Sequence, residues 1–464
     1  MAKLNKILRV FTHEGARAKR FTPEQELKRT LMNCLLWEDQ FYEDGVSIAD
    51  RIKALVPLVE PARVAQLAIQ AREDMKLRHA PLLVVREMAR HEKHRVLVAD
   101  TLARIVQRPD ELTEFLAIYW ADALGPMQQR KKQPVSAQVK KGLARALAKF
   151  DAYQLAKYDR DGAVRIRDVM FLTHAKPKDD GQAKVWKQLV DGELNPPDTW
   201  EVALSAGKDK KATFERLLEQ NKLGYLALLR NLRNMEQAKV DPALVEKAIL
   251  DKRGAGKVFP FRYVAAARAA PSFEPVLEKA MLADLAQRPK LAGKTIIVVD
   301  VSGSMYGSYM SERSDMNRAT AAAALAAIAR ELCEEVRVYA TAGSDARRVH
   351  ATQLVPARHG MALIDAIYGL CKPLGGGGIF LKQVMDFLRK EERKADRMIV
   401  VTDEQDCGVG SADSPQNAKP FGTHNYLINV ASYQNGVGSD AWTRVNGFSE
   451  AILDWIAASE QVAS

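Results

Sequence analysis

The chain has 464 residues, 47% of them hydrophobic, which is enough to bury more than one core, so two or three domains are expected. Lys and Arg number 69 against 58 Asp and Glu, a net charge of +11. The opening MAKLNKILRVFTHEGARAKR is basic but has no apolar run long enough for a signal peptide, and no stretch approaches the ~20 apolar residues of a membrane span, so a soluble, cytoplasmic protein is expected.

Residues 1–21 read as an N-terminal extension. From Thr22 to Gln287 the pattern is helical. PARVAQLAIQAREDM (61–75), APLLVVREMARHEKHRVLVADTLARIV (80–106), VSAQVKKGLARALAKF (135–150) and KLGYLALLRNLRNM (222–235) place apolar residues three and four apart, with short breaks such as RPDE (108–111). About a dozen helices of roughly 10 to 16 residues, without a strict repeat period, predict HEAT-like helix pairs of an α-solenoid over 22–287. LAQRPKLAG (285–293) reads as a linker, and from there strands alternate with helices. KTIIVVDV is a buried strand, MNRATAAAALAAIARELCEE (316–335) a helix, VRVYATA (336–342) a strand, and RMIVVTD (397–403) and NYLINVAS (425–432) two more. Continuous apolar strands between helices predict a mostly parallel sheet covered on both faces over 288–464.

The charge is divided unevenly. Residues 290–464 hold 18 Lys and Arg against 20 Asp and Glu, leaving 51 against 38 for the residues before them. A basic half beside a near-neutral half predicts a polyanionic partner, nucleic acid before membrane surface, or else a lysine-rich solvated helical surface. Cys34, Cys333, Cys371 and Cys407 lie far apart with no CxxC pair, so free thiols are expected rather than disulfides or a zinc site.

TIIVVDVSGSM (295–305) runs five apolar residues into Asp300, Ser302 and Ser304. At the carboxyl end of a parallel strand, alternate oxygen side chains make a partial shell for a hard divalent cation. A second strand ends in Asp403, and the glycine-rich PLGGGGIFL (373–381) lies between the two. These loops resemble the von Willebrand factor A domain and its metal-ion-dependent adhesion site. The resemblance implies Mg²⁺ or another divalent cation held by Asp300, Ser302, Ser304 and Asp403, with a position left for a partner's carboxylate. Where that family has a threonine after two glycines this chain has Ile379, which offers no oxygen, so water fills the place or the metal is held weakly. The glycines lack the GK[ST] of a phosphate-binding loop, and no Ser-His-Asp or Cys-His arrangement stands out, so no catalytic centre is expected.

FYEDGVSIADRI (41–52), RHAPLLVVREMAR (78–90), LAKYDRDGAVRIRDVMFLTHAKPK (155–178), TWEVALSAG (199–207), LRNLRNM (229–235) and FPFRYVAA (259–266) resemble the TROVE module of the Ro autoantigen family, in which a von Willebrand A domain follows. The resemblance implies a monomeric helical-repeat ring, followed by a Rossmann-like A domain, that acts as a noncatalytic scaffold. Its implied partners are small noncoding Y-like RNA on the basic outer surface and misfolded or structured RNA whose free 3′ end enters a central hole. An exoribonuclease or RNA-repair proteins are implied as protein partners. Lys157, Arg167 and His174 match the family's RNA-contacting segment, although Asp161 stands where arginine can occur. Lys131, Lys132, Lys140, Lys141 and Arg145 form a second basic cluster, either an RNA contact or a solvated helix face. Arg230 and Arg233 face the channel or pair with Glu236. The alternative function is a protein-interaction adaptor acting through the metal site.

Overall fold

The computed structural model describes residues 11–18, 20–32, 45–121, 134–195, 198–307, 316–431, 433, 435–447 and 452–463. Between Pro23 and Leu285 the described residues form sixteen α-helices of 6 to 13 residues, somewhat shorter than the periodicity predicts. The run 80–106 is one case: helix His79–Arg90 ends at His91, a 3₁₀ turn Glu92–His94 follows, and helix Arg95–Ile105 begins. Local chemistry fixes several of the helix starts. Glu60 caps helix Pro61–Glu73, whose first residue is proline, and Asp151 and Gln154 close a reciprocal capping box on helix Ala152–Tyr158. Among the described residues, no helix is long and apolar enough to cross a membrane.

The chain packs as two compact units, Pro23–Leu31 with Val46–Thr213, and Met1–Thr22 with Met32–Gly45 and Phe214–Ser464. Secondary structure changes character between Leu285 and Leu291, later than the packing boundary.

In the helical unit, helix Ala137–Leu147 lies tightly on helix Arg95–Ile105: a Cβ on Gly142 would stand 3.0 Å from both the Ala99 carbonyl oxygen and Leu102 Cβ. Arg72 and Glu111 form a buried pair at 2.6 Å, and Glu111 also accepts the backbone N–H groups of Gln107 and Arg108. The carboxylate therefore has the donors that a charge at 0% exposure requires.

The second unit is built on a six-stranded sheet of β1 (Leu291–Asp300), β2 (Cys333–Ser344), β3 (Val349–Leu354), β4 (Arg397–Thr402), β5 (His424–Asn429) and β6 (Thr443–Asn446) in the order β3-β2-β1-β4-β5-β6. All neighbours are parallel except β2 and β3. Helix Arg318–Leu332 is buried from Arg318 to Ala329 because the sheet packs on one side of it and helices Phe261–Ala269 and Glu274–Leu285 on the other, an arrangement its run of alanines permits. This packing draws the last helices before β1 into the unit that holds the sheet.

The segment Phe11–Ala18 docks on the same unit. Thr12 Oγ1 donates to the Asp406 carbonyl at 3.0 Å, the His13 N–H to Gln405 Oε1 at 2.8 Å, and Gln416 Nε2 to the Ala18 carbonyl at 3.1 Å. Cys333, Cys371 and Cys407 are buried free thiols, as expected, while Cys34 lies outside the described residues.

Candidate functional site

β1 enters the middle of the sheet with both faces covered, so its apolar run ends in a carboxylate, Asp300, that is 0% exposed. Asp300 Oδ1 accepts the Ser302 N–H at 2.9 Å and Oδ2 accepts the Thr402 hydroxyl at 2.6 Å. Burial pushes its carboxyl pKa upward, and the nearby charge of Asp403 pushes it further. The Ser302 and Ser304 hydroxyl oxygens are 3.3 Å apart, and Ser304 Oγ donates to Asp403 Oδ2 at 2.5 Å. The four residues picked out in the sequence thus stand together at the carboxyl ends of β1 and β4.

The glycine loop joins them through its backbone. The Gly303 N–H donates to the Gly377 carbonyl at 3.3 Å, and a Cβ on Gly303 would stand 2.6 Å from the Gly376 carbonyl oxygen. The loop is fastened in turn by bonds from the Gly377 N–H to the Gly343 carbonyl and from the Gly378 N–H to Asp345 Oδ1. Ile379 is 1% exposed and sits in the apolar core with Val298, Leu381 and Met385, so position 379 supplies packing. Two carboxylates and two hydroxyls are a hard oxygen set of the kind Mg²⁺ takes, and a dication beside Asp300 would offset the repulsion that raises its pKa, so the residues fit the group.

Sequence reasoning passed over Thr402, whose hydroxyl fixes Asp300 from the neighbouring strand. A threonine at the end of an otherwise apolar MIVV run was the available signal. It also passed over the support beyond Asp403. Glu404, with φ +59°, is 1% exposed, pairs with Arg444 at 2.7 Å and accepts from Asn429 at 2.6 Å. Phe21 lies 5.5 Å from the Arg444 guanidinium.

Lys140, Lys141, Arg145, Lys157, Arg167 and His174 lie in the helical unit, and Arg233 in the unit that holds the sheet. Helix Ala137–Leu147 buries Val139, Leu143 and Ala146 and leaves Lys141 and Arg145 exposed one turn apart. It packs against helix Ile166–Thr173, which carries Arg167. Lys140, Lys141 and Arg167 make no ion pair or hydrogen bond through their side chains among the described residues, whereas Arg145 pairs with Asp100 and Lys157 with Glu201 at 3.2 Å. Asp161, expected to repel phosphate, is 3.2 Å from Arg165, which also reaches Asp159 at 3.0 Å, so one guanidinium sits between the two carboxylates. His174 is exposed in the left-handed C-cap position, φ +52°, beside exposed Phe171. Arg233 donates to the Ala269 carbonyl at 3.0 Å. Lys131 and Lys132 lie outside the described residues.

A helical region carrying cations without carboxylate partners among the described residues, followed by an α/β domain with an oxygen-lined strand-end site, defines the class of protein. The family model of the TROVE domain matches residues 2–192 and 193–350, and the chain belongs to the TROVE domain family of RNA-binding proteins. The crystal structure of the Ro (RSR) protein of Deinococcus radiodurans superposes with a TM-score of 0.58 at 18% identity, over 95% of this chain and 100% of that one, a likeness of fold. Telomerase protein component 1 of Rattus norvegicus is 28% identical over 181 residues, 38% of this chain, which spans 7% of that relative's length.

Proposed function

We propose that the protein is a noncatalytic RNA scaffold of the Ro type. Small structured Y-like RNA binds the basic face around Lys140, Lys141, Lys157, Arg167 and His174, and free 3′ ends of misfolded or structured RNA occupy a separate channel. The observation that supports this reading best is that Lys140, Lys141 and Arg167 have no carboxylate partner among the described residues, so they can meet phosphate without first giving one up. Arg145 and Lys157 join at small cost, because half-exposed ion pairs contribute only ~0–1 kcal/mol. The exposed rings of His174 and Phe171 add surfaces that an unpaired base can stack on.

The test is sequencing of RNA that copurifies with the protein at two salt concentrations, followed by gel-shift titration of the enriched species. A discrete small RNA whose binding weakens about tenfold or more on combined Lys140→Glu and Arg167→Glu is expected, since a charge-assisted bond to phosphate contributes about 1–3 kcal/mol. Recovery of salt-labile bulk RNA alone would remove this reading.

The grouping of Asp300, Ser302, Ser304 and Asp403 favours a companion role for the α/β domain. There Mg²⁺ would be held by these residues, presenting a Lewis-acidic position to a partner's carboxylate. An exoribonuclease or an RNA-repair protein is the partner proposed. Capture that is lost with EDTA and with Asp300→Ala, while RNA remains bound, is the expected result. Capture unaffected by both would exclude the metal route.

A further inference from the structure

The segment Phe11–Ala18 doubles back on itself. Phe11 bridges to Arg17, and the Thr12 carbonyl and hydroxyl accept the N–H groups of Gly15 and Ala16. Thr12, Ala16 and Ala18 are buried in the docked state. The residues that receive the segment follow directly on Asp403. Gln405, itself buried, accepts the His13 N–H on its amide oxygen at 2.8 Å, and its amide nitrogen donates to the Asp403 carbonyl at 3.2 Å. The Gln405 N–H donates to Asp403 Oδ1, also at 3.2 Å, so one residue grips the main chain of Asp403, its carboxylate and the docked segment. The Thr12 hydroxyl reaches the next residue, donating to the Asp406 carbonyl at 3.0 Å.

The residue between Asp403 and Gln405 is held from the other side. Glu404 has φ +59°, a left-handed conformation that a residue with a Cβ keeps only where its surroundings enforce it. Its carboxylate is fixed by Asn429 at 2.6 Å and Arg444 at 2.7 Å, and the Phe21 ring stands 5.5 Å from the Arg444 guanidinium. The turn that aims Asp403 is therefore supported by Thr12 and His13 through Gln405 and Asp406, and by Phe21 through Arg444 and Glu404. Mg²⁺ demands near-ideal octahedral geometry at about 2.0–2.1 Å, so a turn free to relax would hold it less well.

We propose, resting on the reading of Asp300, Ser302, Ser304 and Asp403 as a cation site, that Thr12, His13 and Phe21 are positioning residues of that site. Docking of the N-terminal segment sets Asp403 for Mg²⁺, and by linkage Mg²⁺ tightens the docked segment by the same factor.

The experiment is calorimetric Mg²⁺ titration of the full chain together with hydrogen exchange of the peptide Phe11–Ala18. Thr12→Val removes the hydroxyl donor and Phe21→Ala uncovers Arg444, and neither residue is among the four proposed ligands. Mg²⁺ affinity about fivefold or more weaker is expected in the double variant, the lower end of ordinary coupling between sites. Saturating Mg²⁺ should slow exchange of the segment in the parent by a matching factor and leave it unchanged in Asp300→Ala. A segment with a structural role alone would not respond to Mg²⁺. The exchange measurement needs no change in the segment, so it decides even where the double variant does not fold. Mg²⁺ bound equally well by the double variant and the parent, or exchange indifferent to Mg²⁺ in a parent that binds it, would overturn the coupling and leave the cation site standing. A parent that binds no Mg²⁺ would overturn both.

Discussion

The Thr402 hydroxyl does for Asp300 what no residue chosen from the sequence could do: from the next strand it holds one carboxylate oxygen, while the Ser302 N–H holds the other. Thr402→Val keeps the shape and removes the donor. A buried acceptor left unsatisfied costs ~1–3 kcal/mol, so chemical denaturation of the metal-free variant should find a loss in that range, with part of it restored by Mg²⁺. A loss that Mg²⁺ does not alter would separate Thr402 from metal binding. Gly303→Ala works on the same loop by sterics, since its new Cβ must move the Gly376 carbonyl from 2.6 Å away. The expected outcome is weaker Mg²⁺ binding, read by calorimetry, with RNA affinity unchanged. At this scale the sequence was informative about which oxygens alternate along DVSGS and silent about pairings that depend on the fold. Nothing local in Lys157 or Arg145 announces Glu201 or Asp100, and nothing in Lys140 announces that its side chain stands free of such a carboxylate among the described residues.

Among the elements, β1 and β4 were legible because both are buried on both faces and read as unbroken apolar runs. β3 and β6 were missed. VHATQL and TRVN lie at the two sheet edges, are short, and bury at most one residue between them, Val445, so neither leaves an apolar stretch to notice. The C-terminal helix Ile452–Ala463 is tied to the sheet by Arg397 and Glu460, a two-pronged pair whose Nε–Oε1 distance is 2.7 Å. Burial alone would push the Glu460 pKa up, but the hydrogen bonds and charge of Arg397 more than reverse this and hold it below its ordinary 4.5. A carboxylate with a lowered folded pKa stabilises fully above its unfolded value and loses that contribution as pH falls through the folded one. Melting curves of Glu460→Gln and the parent should therefore differ by a constant amount above about pH 5 and converge below about 4.5. A gap that stays constant down to pH 3 would mean that the charge is not what matters. In the helical unit, Arg72→Ala leaves Glu111 buried with Arg78 at 3.8 Å as its remaining cation. The expected cost is about 3 kcal/mol in urea unfolding, and a cost under 1 kcal/mol would mean that the Gln107 and Arg108 N–H groups suffice for the carboxylate.

For the whole molecule, the charge split sets how binding responds to salt. If Lys140, Lys141 and Arg167 of the helical unit meet phosphate, log affinity should fall linearly with log salt, with a slope of roughly −0.7 to −0.9 per phosphate neutralised. Arg167→Ala should lower that slope by the share of about one phosphate, while Arg358→Ala, in the unit that holds the sheet, should leave it alone. A slope near zero in the parent would return the basic half to an ordinary solvated surface. The two-part plan, helices first and then an α/β domain, was readable because hydrophobic period changes with secondary structure. Packing follows other rules, and the alanine-rich helix Arg318–Leu332 draws preceding helices into the sheet's unit by being narrow enough to be covered on two sides.

The docking of Phe11–Ala18 has a consequence for how the chain is made. Thr12 and His13 bond to residues 394 and 392 positions further along the chain, and the Phe11 carbonyl accepts from Asn435, 424 positions away. At about 5–20 residues per second of synthesis, the first segment emerges and waits roughly 20–80 s before Gln405 and Asp406 exist to receive it. Closing so large a loop is entropically unfavourable until the sheet is in place, so this clasp should be among the last parts of the fold to form and should report, in pulse-labelled hydrogen exchange, the moment at which the sheet is complete.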